Sequence, residues 1–148
     1  MAKTPSHLGF DFGTKSIGIA SGRVANDSYF TNELPPMKAK DGIPNWQALE
    51  ALLDEWKPSV VVVGLPVNMD GSEMPLTQRA RKFGNRIHGR FAYPVEFFDE
   101  RLSTREAKEI AYERGIKGSY NENPVDSIAA RLILESWWNN HSSEENKT

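Results

Sequence analysis

Four consecutive valines, Val60–Val63, constrain this chain more than any other feature. β-Branched side chains are stiff at χ1 and suit a pleated strand. An apolar run without alternation has to be covered on both faces, which is the situation of an inner strand in a parallel sheet. The flanking sequence supplies the cover. Upstream, Asn45 is a good N-cap, Trp46, Leu49, Leu53 and Trp56 recur at helical spacing, and Pro58 stops the helix. Downstream, Gly64 to Gly71 reads as a long loop. Pro75 then opens a second helix whose Leu76, Ala80, Phe83 and Ile87 form one stripe, with Gly89 as its expected C-cap.

The N-terminal segment reads as three strands in a meander. Leu8 to Phe12 alternates, with Leu8, Phe10 and Phe12 on one face and Gly9, Asp11 and Gly13 on the other. Gly13-Thr14-Lys15 is a turn into a second strand, Ser16 to Ser21, and a third strand is expected at Ser28 to Leu34. Pro35-Pro36 and Asp41-Gly42-Ile43-Pro44 read as loops. Val95 to Phe98 is the fifth strand. Ser103 and Glu106 form a capping box for a helix to about Arg114, Gly115 to Asn123 is a loop, and Pro124 begins the last helix with Ile128, Ala129, Leu132 and Ser136 on one face. The order β-β-β-α-β-α-β-α-α predicts an α/β fold, a mixed five-stranded sheet with helices on both faces. Residues 1–148 make one domain, ordered over about 7–138, with a polar and disordered tail at 139–148.

The chain contains no cysteine, which excludes disulfides and Cys-ligated zinc and suits a reducing compartment. The N-terminus lacks the apolar core of a signal peptide, and no run approaches the roughly 20 apolar residues of a membrane helix. A cytoplasmic location and no membrane partner are expected. Net charge is −2, so any attraction to nucleic acid must be local. It is local here: Met74 to Val95 holds no Asp or Glu but does hold Arg79, Arg81, Lys82, Arg86 and Arg90, whereas Glu96 to Glu113 carries six acids against three bases.

Asp11 is the residue that points to chemistry. A carboxylate within an apolar strand is costly to bury alone. Glu100 lies just past the end of the Val95–Phe98 strand, and Asp126 lies in the first turn of the last helix, so the three can converge at one edge of the sheet. Three ionised carboxylates at contact distance need a cation. Two Mg²⁺ or Mn²⁺ ions, about 4 Å apart, would serve and would clamp the oxygens of a phosphodiester. Each acid also has a structural use: Asp126 as a helix cap, Asp99 and Glu100 as partners of Arg101 or Arg105, and Asp11 as an acceptor for the turn backbone. Strand alternation lets only one of Asp99 and Glu100 face the site. Glu100 has the longer reach.

Arg79, Lys82 and Arg86 lie at i, i+3 and i+7 and share one helix stripe, a candidate phosphate track; Lys15 and Arg101 are further candidate nucleic-acid contacts near the acids. Trp137 and Trp138 could stack bases, although at least one suits the core. Gly9 to Ser16 fails as a phosphate-binding P-loop because Thr14 stands at its second glycine. An actin-like ATPase would need a second domain.

Four segments together resemble the YqgF family of RuvC-like nucleases: Phe10-Asp11-Phe12-Gly13-Thr14-Lys15-Ser16-Ile17-Gly18, Val63-Gly64-Leu65-Pro66 with Asn68 and Asp70-Gly71, Asp99-Glu100-Arg101-Leu102-Ser103-Thr104, and Val125-Asp126 with Ala129-Ala130 and Ile133-Leu134. The likeness runs from about Leu8 to Trp138. It implies a ribonuclease H-like fold and metal-dependent hydrolysis of phosphodiester bonds, with Asp11, Glu100 and Asp126 at the acidic positions. It also implies maturation of the 5′ end of pre-16S ribosomal RNA in ribosome biogenesis. The rival expectations are a Holliday junction resolvase acting on branched DNA and a non-catalytic RNA-binding assembly factor. Many members carry a lysine shortly before the last acid, where this chain has Asn121-Glu122-Asn123-Pro124.

Overall fold

A computed structural model describes residues 6–102 and 125–146, with side chains for 6–101 and 127–140. The helix expected over Ser103 to Arg114 and the loop after it lie outside the described residues. The strands are β1 (Ser6–Asp11), β2 (Ser16–Ala25), β3 (Ser28–Lys40), β4 (Ile43–Pro44), β5 (Val60–Leu65) and β6 (Val95–Asp99). The helices are α1 (Trp46–Trp56), α2 (Pro75–Phe91) and α3 (Val125–Asn146), with a 3₁₀ turn at Glu100–Leu102.

The strands form one mixed sheet in the order β4-β3-β2-β1-β5-β6. β1 to β4 pair antiparallel in sequence, while β5 joins β1, and β6 joins β5, in parallel. The valine run is therefore an inner strand. Val61, Val63 and Leu65 face α1 and α2, and Val60 and Val62 face α3. β1 divides in the same way, with Leu8, Phe10 and Phe12 in the α1/α2 core. On the α3 side it presents small residues. A Cβ on Gly9 would run into Leu134, so α3 packs closely there.

The sheet has six strands rather than five, and the difference lies in the loop readings at Pro35-Pro36 and Asp41–Pro44. β3 continues through the diproline because Ile17 pairs with Met37 and Ile19 with Leu34, leaving Pro35 and Pro36 opposite the single residue Gly18. A bulge is where residues lacking an N–H cost a strand least. Asp41 and Gly42, at φ 50° and 80°, then make a tight hairpin to the two-residue β4. Asn26 and Asp27, also at positive φ, make the corresponding turn between β2 and β3.

α1 starts and stops as its sequence predicts, with the Asn45 carboxamide accepting the N–H groups of Gln47 and Ala48. α2 does not stop at Gly89. It runs to Phe91, and Ala92 takes the left-handed cap at φ 63° while its N–H donates to His88 O. His88 Nδ1 lies 3.0 Å from Tyr93 O, which ties the helix end to the next segment. α3 likewise continues to Asn146, through most of the stretch expected to be a disordered tail. No Gly or Pro follows Pro124 to break it.

Candidate active site

Asp11 ends β1 on the face that carries His7 and Gly9, the α3 side. Phe10 pairs with Val63, so continuing the register sets Asp11 beside Gly64. On its other side Gly64 pairs with Phe98, two residues before Glu100. Glu100 reaches back over this glycine: a Cβ built on Gly64 would lie 3.0 Å from Glu100 Oε1 and would collide with Ile133 Cδ1. The missing side chain at 64 is thus the floor on which the Glu100 carboxylate rests, next to the strand end bearing Asp11.

The first turn of α3 comes to the same region. The Ile19 N–H points to Ser127 Oγ at 3.5 Å, and Ser127 Oγ donates to Leu34 O at 2.7 Å. Ile19 is the partner of Phe10, so this helix end lies over β2 at the level where β1 reaches Asp11. Asp126 is the residue before Ser127; its side chain lies outside the described residues. Among the described residues no three His, Asp or Glu form a group able to hold a metal ion. Asp11 and Glu100 are two carboxylates, and hard oxygen donors with space kept open between strands fit a hard divalent cation.

Asp99 has another employment. Its carboxylate accepts Arg101 Nε at 3.0 Å and Nη2 at 2.6 Å, and also the Arg101 N–H at 2.8 Å. Arg101 Nη1 donates to Met69 O at 3.2 Å, so the pair staples the loop after β5 to the end of β6. The hydrogen bonds to Asp99 push the Arg101 guanidinium above its usual pKa. The loop is also braced internally, since the Ser72 hydroxyl and N–H both donate to Asp70 and hold that carboxyl below the usual range. Arg101, expected at the nucleic acid, is paired with Asp99 here and keeps an exposed flank.

The basic stripe is divided. Arg79 Nη2 donates to Asp41 O at 2.6 Å and pairs with Asp41 Oδ1 at 3.1 Å, binding α2 to the β3–β4 hairpin. Lys82 and Arg86 are exposed and make no ion pair among the described residues. All three line a cavity of about 250 Å³ with Phe12, Ile43 and Trp46, at the β1 end but on the opposite sheet face from Asp11. Lys15 is exposed in the β1–β2 turn. Trp137 is core, 7% exposed, with Nε1 reaching Glu96 Oε1 at 3.3 Å. Trp138 stacks on Tyr29 with ring centroids 4.7 Å apart. Sequence reasoning passed over Gly64 and Trp46 as site residues; a glycine directly after four buried valines was the available signal for the first.

This mixed sheet, with α3 across one face and α1 and α2 across the other, has the RuvC-like, ribonuclease H-like fold. The solved structure of Thermus thermophilus RuvC in complex with Holliday junction substrate superposes with a TM-score of 0.58, covering 93% of this chain and 96% of that one at 15% identity, a likeness of fold. Residues 5–140 match RuvX, described as Holliday junction resolvase, and the chain belongs to that family, the YqgF family of the sequence resemblance. A protein of Saccharophagus degradans named "Putative pre-16S rRNA nuclease" is 64% identical over 134 residues, 90% of this chain and 93% of the relative. One of the same name from Chromohalobacter salexigens is 57% identical over 131 residues, 88% of this chain and 87% of the relative.

Proposed function

We propose that this chain is a divalent-metal-dependent nuclease that processes the 5′ end of pre-16S ribosomal RNA, with Asp11, Glu100 and Asp126 as its acidic centre. The single observation that carries the site is the Glu100 carboxylate lying over Gly64 beside Asp11. The name of the relative at 64% identity supports the substrate. Magnesium or manganese, held by those three acids, would supply positive charge against the scissile phosphate and favour ionisation of the attacking water. Asp11 and Glu100 would hold that charge from the ends of β1 and β6, on either side of Gly64 in β5. The Arg101–Asp99 clamp fixes the loop after β5 at Met69. Lys82 and Arg86 hold backbone phosphates beyond the β1 end. A cytoplasmic setting accords with a ribosomal substrate, and no helix among the described residues is long and apolar enough to cross a membrane.

The family description favours a second reading, cleavage of four-way DNA junctions. A cleavage assay on precursor ribosomal RNA and on a four-way junction, each with and without Mg²⁺, separates the two. Asp11→Asn is expected to lose cleavage while keeping its circular dichroism spectrum. Undiminished cleavage by that folded variant would overturn the catalytic assignment.

A further inference from the structure

The cavity between the β3–β4 hairpin and α2 is not part of the carboxylate site, yet it is mechanically tied to it. The Gly42 N–H donates to Thr14 O at 2.8 Å, and the Ala39 N–H donates to Lys15 O at 2.9 Å, so the hairpin is fastened to the turn that follows Asp11. The hairpin tip also rests on the first strand: a Cβ on Gly42 would lie 3.0 Å from Phe12 Cζ. Phe12 directly follows Asp11, and successive residues of an extended chain face opposite ways. The cavity and the carboxylates therefore flank one strand end.

Its lining is mixed in a particular way. The half-buried Trp46 offers aromatic surface, Arg90 lies over one face of its ring at 4.3 Å, and the edge of the buried Phe12 lines the floor. Ile43, 53% exposed, forms an apolar rim. The exposed Lys82 and Arg86 line it without carboxylate partners among the described residues, whereas Arg79 is committed to Asp41. Aromatic surface beside uncommitted, exposed cations matches one ligand chemistry, a planar base attached to a phosphate. The roughly 250 Å³ of space is enough for one base. A base can enter only when it is unpaired and splayed from its neighbours.

We propose that this cavity receives the base of an unpaired nucleotide next to the phosphate held at Asp11 and Glu100, with Lys82 and Arg86 on its backbone. This rests on the nuclease reading of the carboxylate site. It makes the protein selective for single-stranded or looped segments at the point of cleavage.

The test is metal-free binding, measured by fluorescence anisotropy, of a labelled single-stranded oligoribonucleotide and of the same sequence closed into a duplex. The wild type should prefer the single strand by about 5- to 100-fold, the scale of one base–aromatic stacking contact. Ile43→Trp fills the cavity from an exposed rim position and should abolish that preference while leaving duplex affinity unchanged; Ile43→Ala should retain it. A wild type that binds both forms equally, or an Ile43→Trp protein with undiminished single-strand preference, overturns the proposal. A 2-aminopurine base stepped along the oligonucleotide gives a readout without any variant. One position should change its emission on binding, and a uniform response at every position overturns the proposal. Because no metal is present, the outcome is separate from catalysis. Loss of cleavage in Asp11→Asn together with a retained preference in Ile43→Trp removes the cavity alone, while normal cleavage by Asp11→Asn removes the nuclease site alone.

Discussion

Gly64 and Glu100 share one space: the position a Cβ would take at residue 64 is 3.0 Å from Glu100 Oε1, and Ile133 closes the other side. The carboxylate can lie beside the end of β1 only because the inner strand carries no side chain at that point. Gly64→Ala should therefore act on stability and chemistry together. Overpacking against Ile133 should cost about 1–3 kcal/mol, read as a lower midpoint in urea unfolding at unchanged slope. Cleavage should fall further than stability, since Glu100 is displaced.

Glu100 and Asp99 should separate sharply. Glu100→Gln removes charge at the centre and should lower kcat by about 100-fold or more, the scale of deleting one electrostatic stabiliser. Asp99→Asn weakens the grip on Arg101 and on the Met69 carbonyl and should cost nearer tenfold, as outer supporting contacts do. Isothermal titration with Mn²⁺ checks the distinction, with binding lost in Glu100→Gln and retained in Asp99→Asn.

Lys82 and Arg86 should contribute through counterion release. Replacing either by Ala should reduce the slope of log K against log salt by about 0.7 for single-stranded RNA. Arg79→Ala should change that slope less and lower Tm more, because its guanidinium holds the hairpin through Asp41. A salt series of binding isotherms paired with thermal melts tests both parts.

Tyr29 sets an upper pH limit on stability. Burial, and secondarily the charge of Glu135, push its hydroxyl well above the usual value of 10.0, and that hydroxyl lies 2.9 Å from His7 Nδ1. The folded state thus holds the proton more tightly than the unfolded chain does. The associated stability is fully present below pH 10 and is lost as pH rises beyond it. Tyr29→Phe should cost about 1 kcal/mol at pH 7 through the lost hydrogen bond. It should also flatten the decline above pH 10, as seen in denaturation midpoints from pH 7 to 11.

Much of the architecture was legible because it depends on short-range pattern. The division of Leu8, Phe10 and Phe12 from Gly9 and Asp11 follows from strand alternation, and the start of α1 from the Asn45 cap. The errors were also local, at places where tertiary pairing outweighed a breaker. Pro35-Pro36 was absorbed into a bulge opposite Gly18, the Asp41-Gly42 turn extended the sheet by β4, and Gly89 stayed helical with no atom of another element within 4 Å of its Cβ position.

The sequence by itself determined the pieces: a valine strand needing cover on both faces, two amphipathic helices, a carboxylate in an apolar strand, and a cationic stripe. Periodicity and turn chemistry act over a few residues, so they are readable without a partner. Only the tertiary structure decided which pieces meet. Inserting β5 between β1 and β6 put Gly64 between Asp11 and Glu100, joining residues 89 positions apart in the chain. The same packing committed Arg79 to Asp41 and left Lys82 and Arg86 exposed in the lining of an aromatic cavity. Such choices depend on strand order and on the volume each side chain occupies, and no local pattern encodes either.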